Sequence, residues 1–147
     1  AGAGEEEGRY RALAQKLGVD TRVHFVGPVA NAELPQLYRA ADAVVMPSAS
    51  EGLANAWVEA LACGTPIIIS DAGGAAELVT SLTAGRIVER TPDAIGEAVR
   101  TILANPPTPA DVAGSLGGRF DWDRNGRELA AHLRRCAGPE YGNADPL

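Results

Sequence analysis

The sequence predicts an α/β protein built on a Rossmann-like parallel sheet flanked by helices. Two short apolar runs, Ala43-Val44-Val45-Met46 and Ile67-Ile68-Ile69, are rich in β-branched residues and bounded by turn chemistry, as buried strands are. Between them Trp57, Val58 and Leu61 recur at helical spacing, and Gly64 followed by Pro66 supplies a stop. The order is strand, loop with an acid at its tip, helix, glycine stop, strand.

The remaining elements follow in chain order. Glu5 to Leu17 predicts a helix with Tyr10, Leu13 and Leu17 on one face and Gly18 as its stop. Arg22 to Val26 predicts a short strand, Val23 and Phe25 alternating with Arg22 and His24, and Gly27-Pro28-Val29 turns the chain at its end. Asn31 can cap a helix striped by Leu34, Leu37, Tyr38 and Ala41, with Pro35 tolerated only in its first turn. After the central segment, Ser70-Asp71-Ala72-Gly73-Gly74 forms a loop whose paired glycines permit close approach of a ligand or helix, and Glu77 follows in a short helix. Gly85 to Glu89 gives the last strand.

Thr91-Pro92-Asp93 opens a helix with cap, fixed φ and a first-turn acid, burying Ile95, Val99, Ile102 and Leu103. Thr108-Pro109-Ala110-Asp111 opens another, to about Leu116. Asp121 caps the final helix, in which Leu129 and Leu133 lie one turn apart and Arg134-Arg135 suit the negative end. These elements predict one domain over residues 1–137 and a flexible tail over 138–147.

Composition narrows the function classes. A chain of 147 residues can bury a real core. A net charge of −6 argues against a nucleic-acid partner, whose footprint would be basic. Local amides and a few arginines can still bind phosphate on an acidic protein. No apolar run has the length of a membrane span. Cys63 and Cys136 lie far apart with no Cys-x-x-Cys pattern, which predicts two buried, reduced thiols in a cytoplasmic protein. His24 and His132 have no companions at metal-ligand spacing, so no metal or cofactor is expected.

The chemistry concentrates after the first apolar run. A loop there lies at the carboxyl end of a parallel strand, where open α/β sheets bind ligands. The backbone N–H groups of Gly52, Leu53, Ala54 and Asn55 stand at a helix start and can receive a phosphate. Glu51 stands at the mouth of that site. Glu59 is eight residues on, roughly 12 Å of helix at about 1.5 Å per residue. One ligand can touch both acids across such a span. The structural alternative makes Glu51 a helix-start acid favoured by the macrodipole and Glu59 a solvated face residue.

Glu51, seven intervening residues and Glu59-Ala60-Leu61-Ala62-Cys63-Gly64-Thr65-Pro66 resemble the signature of retaining family-4 glycosyltransferases. The resemblance extends to Val23-His24-Phe25-Val26-Gly27, Ala41-Asp42-Ala43-Val44-Val45-Met46-Pro47-Ser48, Gly73-Gly74 and Glu77-Leu78-Val79, over roughly residues 1–137. It implies the carboxy-terminal, donor-binding half of an enzyme with two facing Rossmann-like domains. On that resemblance, Glu51 is catalytic and contacts the donor sugar, while Glu59 takes the ribose hydroxyls. Gly52, Leu53, Ala54 and Asn55 offer amides to sugar and diphosphate, and Gly27, Pro28 and Val29 border the base. Where the family often has Phe-Gly this chain has Leu53-Ala54, so the pocket differs in shape there.

The resemblance further implies that the first two strands, with the Arg and Lys that grip the diphosphate, and the amino-terminal domain are missing from this chain. It implies a nucleotide-sugar donor and an unidentified hydroxyl acceptor as partners. The enzyme would be cytoplasmic, at the inner face of the membrane if the missing domain holds it there. Without its first strands the sheet would expose an edge open to self-association. The competing reading is a non-catalytic nucleotide- or sugar-binding module, or a related epimerase or phosphorylase, on the same scaffold.

Overall fold

The computed structural model describes residues 2–137; the tail expected over 138–147 lies outside the described residues. The chain divides into two compact units, one ending at Leu37 and a larger one beginning at Tyr38.

The larger unit contains the sheet. Strands β1 (Val44–Met46), β2 (Ile67–Ser70) and β3 (Gly85–Val88) are parallel and adjacent in that order. Val44 stands opposite Ile67, and Ile67 opposite Gly85. Helices α3 (Asn55–Ala62) and α4 (Ala75–Leu78) occupy the two stretches between strands, and α5 (Pro92–Ala104), α6 (Pro109–Gly114) and α7 (Trp122–Ala137) follow.

The period of two along β2 divides the core. Ile67 and Ile69 pack with Trp57 and Leu61 of α3, Leu78 of α4 and Val112 of α6. Ile68 packs on the other face with Ala98 and Ile102 of α5. All three isoleucines are fully buried, each contributing about 1.5–3 kcal/mol as an upper estimate. Of the two predicted buried strands, β2 and the helix before it are present as expected, with Rossmann-like layering. Strand β1 forms but is only half-buried, with Val45 exposed, because it stands at the edge of the sheet and the α5 face packs on Ile68 rather than on Val45.

Helix ends follow local chemistry. The Thr91 and Thr108 hydroxyls accept from the N–H groups of Ala94 and Asp111, with Pro92 and Pro109 next in the chain, and Asp121 accepts from the Arg124 N–H. The face of α5 is partly corrected: Ile102 is buried with Ala98, whereas Leu103 is exposed. Leu103 adjoins Ile102 and is turned about 100° away on the helix, beyond the edge of the buried stripe. Leu129 and Leu133 of α7 are also exposed.

The first unit departs further from expectation. Helix α1 (Glu7–Lys16) forms, but it buries Ala14 and leaves Tyr10, Leu13 and Leu17 exposed. The strand predicted over Arg22–Val26 is absent: Asp20–Arg22 is a 3₁₀ turn, and residues 23–30 carry no regular structure. Alternating side chains do not make a strand without a partner for the ladder, and none pairs with them among the described residues. A stripe on α1 then lacks a sheet to cover it. The Arg11 guanidinium stacks 4.3 Å from the centre of the Phe25 ring, and the Gly2 N–H donates to the Gly27 carbonyl at 2.7 Å. Helix α2 (Leu34–Ala40) carries Pro35 in its first turn, as the missing N–H requires.

The cysteine expectation is corrected too. Both thiols are free, but Cys63 is half-buried and Cys136 exposed. Among the described residues no helix is long and apolar enough to cross a membrane.

Gly85 carries a heavy constraint. Its φ is +147°, and a Cβ there would lie 1.8 Å from the Ile67 carbonyl oxygen. We expect Gly85→Ala to destabilise the protein by at least about 2 kcal/mol through strain and overlap. Gly126→Ala, in α7 with open space around it, should instead stabilise by about 0.5–1 kcal/mol. Urea unfolding of both variants checks this; a Gly85→Ala midpoint equal to wild type would contradict it.

Candidate functional site

The loop between β1 and α3 is held by its carbonyls. Arg90 Nε donates to the Pro47 carbonyl at 3.1 Å, the Ser70 hydroxyl to the Ser48 carbonyl, and the Gly74 N–H to the Gly52 carbonyl at 2.7 Å. Ser70 ends β2, Arg90 lies just beyond β3 and Gly74 just before α4. The carboxyl ends of the two neighbouring strands therefore fasten the loop that follows the first.

The paired glycines allow this proximity. Gly73 has φ +52°, and a Cβ on it would meet the carbonyl oxygens of Gly52 at 2.0 Å and Glu51 at 2.2 Å. A Cβ on Gly74 would come within 2.7 Å of Leu53 Cδ1. The close approach expected at these glycines is thus made by the Glu51–Leu53 loop itself.

The loop's N–H groups have no such use. Among the described residues Gly52, Leu53, Ala54 and Asn55 donate no backbone hydrogen bond, and Ala54, in the cap position of α3, offers no capping side chain. Carbonyls fastened to the scaffold and amides left over create a local positive potential at the start of an eight-residue helix. Such an arrangement can receive an anion without any cationic side chain.

Leu53, Asn55 and Glu59 line one cleft of about 370 Å³, together with Val58, Phe120 and Asn125. Trp122, at the start of α7 and largely exposed, borders it as well. Glu51 is half-buried at the loop tip, and its carboxylate joins none of the ion pairs among the described residues. Gly27 belongs to the first unit. There it lines a separate cleft of about 350 Å³ with the Gly2–Gly4 segment, Tyr10 and Phe25, while Pro28 and Val29 continue the chain beyond it.

Glu59 is exposed but has a hydrogen-bond partner. The Tyr38 hydroxyl donates to its Oε2 at 3.2 Å. Burial raises the Tyr38 pKa above its ordinary value, and the hydrogen bond and charge of Glu59 raise it further. Tyr38, Ser70 and Arg90 were not legible in these roles from the sequence, because each acts on a residue at least 21 positions away. Phe120 and Asn125 flank the Asp121 cap, the one local signal that could have drawn attention to that corner.

Residues 1–114 match the family described as glycosyl transferases group 1. The chain is 35% identical over 130 residues to a D-inositol 3-phosphate glycosyltransferase of Rhodococcus erythropolis, aligning 85% of this chain with 29% of that protein. It is 35% identical over 148 aligned positions to the enzyme of the same name from Mycobacterium bovis, covering 96% of this chain and 30% of that one. Sucrose-phosphate synthase from Thermosynechococcus elongatus superposes with a TM-score of 0.81 at 30% identity, over 90% of this chain and 35% of the synthase. Anabaena HepE, solved in complex with UDP, superposes with a TM-score of 0.77 at 27% identity, over 90% and 39% of the two chains. The chain thus spans about a third of the length of these relatives. The matched segment carries the fastened loop, both glutamates and the whole sheet, and the chain belongs to the glycosyl transferases group 1 family.

Proposed function

We propose that this chain is the donor-binding part of a retaining glycosyltransferase, which moves a sugar from a nucleotide-sugar to an acceptor hydroxyl. The observation that carries the proposal is the row of unspent amides from Gly52 to Asn55 beyond the carboxyl end of β1, with Glu51 before them and Glu59 after them in the chain. A nucleoside diphosphate presents the matching groups, anionic oxygens for the amides and a vicinal diol for a carboxylate. UDP in the HepE structure supports a donor of this class.

In this reading the amides receive the diphosphate, and negative charge growing on the departing oxygen is met by dipoles fixed before the reaction begins. Glu51 lies at the sugar end, where its carboxylate stabilises positive charge developing at the anomeric carbon. Glu59, in the cleft, accepts the ribose hydroxyls. Attack by the acceptor hydroxyl on the face the diphosphate leaves would retain configuration. No metal is demanded, since the helix terminus can carry the leaving-group charge. The acceptor would be bound by a further domain, and the open edge of β1 is where more strands, or a second copy, would pair.

Two substitutions in the full-length protein separate the roles. Glu51→Gln should lower turnover by about 10²-fold or more, the scale of losing one preorganised electrostatic contact, with little change in Tm. Normal turnover by a folded Glu51→Gln protein would remove Glu51 from the chemistry. Glu59→Ala should weaken UDP binding roughly 10- to 100-fold in calorimetry and raise the donor KM. Wild-type affinity would leave Glu59 an ordinary surface acid.

A further inference from the structure

We propose that Tyr38 is a positioning residue that orients Glu59 towards the ligand; the inference rests on the donor-binding reading of Glu59 given above. Tyr38 Oη and Glu59 Oε2 are 3.2 Å apart, joining the end of α2 to the body of α3 across 21 positions of sequence. Glu59 lines the cleft beside Leu53 and Asn55, whereas Tyr38 is not among the residues that line it. One carboxylate oxygen is therefore held from outside the cleft, and the other is free to accept from a ligand.

The tyrosine is itself held. Its backbone carbonyl accepts from the buried Thr65 hydroxyl at 2.6 Å and from the Ala41 N–H at 3.0 Å. Thr65 sits in the turn directly after α3, its N–H bonded to the Ala60 carbonyl at 2.9 Å. The Tyr38 ring packs against the main core cluster. Residue 38 is thus clamped to both the body and the end of the helix that carries Glu59. A long, exposed glutamate otherwise loses rotamer freedom when a ligand orders it, and a partner that orders it beforehand lowers that cost.

Tyr38→Phe isolates the hydroxyl, since phenylalanine keeps both the ring packing and the carbonyl that Thr65 engages. Calorimetric UDP binding to the full-length protein would be compared for wild type, Tyr38→Phe, Glu59→Gln, Glu59→Ala and the Tyr38→Phe/Glu59→Ala double variant. The expected result is a loss of about 3- to 10-fold for Tyr38→Phe. The double variant should bind no more weakly than Glu59→Ala alone, because the hydroxyl acts only through the residue 59 acceptor that alanine lacks. Donor KM should rise for Tyr38→Phe with kcat unchanged, a split that general destabilisation would not produce.

Wild-type affinity in Tyr38→Phe beside a weakened Glu59→Gln would overturn the inference and leave the donor-binding reading intact. Equal losses from Tyr38→Phe with and without the Glu59 carboxylate would overturn it as well. Wild-type affinity in Glu59→Gln would overturn the reading beneath it, and the inference with that reading.

Discussion

The structure depends on β2 being bonded on both sides and buried on both faces. Three consecutive isoleucines can be fully buried only if parallel strands flank them and helices cover each face. Gly85 makes the β3 side possible, because its missing side chain lets the Ile67 carbonyl approach. With that strand in place, the carboxyl ends of β1, β2 and β3 come out side by side. The loops that leave them have to share one edge of the sheet, which is where α/β proteins collect ligands.

The shared edge explains why the loop after β1 can act as a site. A loop made mostly of Ser, Gly and Ala around Pro47, Glu51 and Leu53 has little packing of its own to hold it. Here its shape comes from Ser70 at the end of β2, Gly74 at the start of α4 and Arg90 just beyond β3, each donating to one of its carbonyls. Fastening by carbonyls has a chemical consequence. It consumes acceptors and leaves donors, so the loop presents N–H groups at the helix start, where the peptide dipoles add to them. A net negative chain can in this way hold an anion, because the field that matters is local and made of fixed dipoles.

The two glutamates differ in how their surroundings treat them. Glu51 rides on the fastened loop, so its position is set by backbone contacts beneath Gly73. Glu59 rides on a helix whose opposite face, Trp57, Ala60 and Leu61, is fully buried, and a phenol grips its carboxylate. One acid is placed by a loop and the other by a helix and a hydroxyl, which suits a site that has to fix both ends of an extended ligand.

Much of this was legible in the sequence, and the reason is local. The apolar run Ile67–Ile69, helical spacing around Trp57 and Leu61, the Thr-Pro caps before α5 and α6 and the Asp121 cap all express themselves within a few residues, and each formed as expected, whereas the run before Pro47 made a strand with Val45 exposed. The family signature from Glu51 to Pro66 is also contiguous, so the candidate loop and both acids could be read directly. What failed was whatever needed a partner distant in the chain. Residues 23–26 alternate like a strand, yet no strand pairs with them among the described residues, and the apolar stripe of α1 lies exposed. Leu103 is as apolar as Ile102 but stands outside the packed stripe. The anchors on Pro47 and Ser48 and the grip of Tyr38 on Glu59 span 21 to 43 positions. Periodicity and capping carry information along the chain. Which hydroxyl meets which carboxylate is decided only when the sheet brings distant segments together.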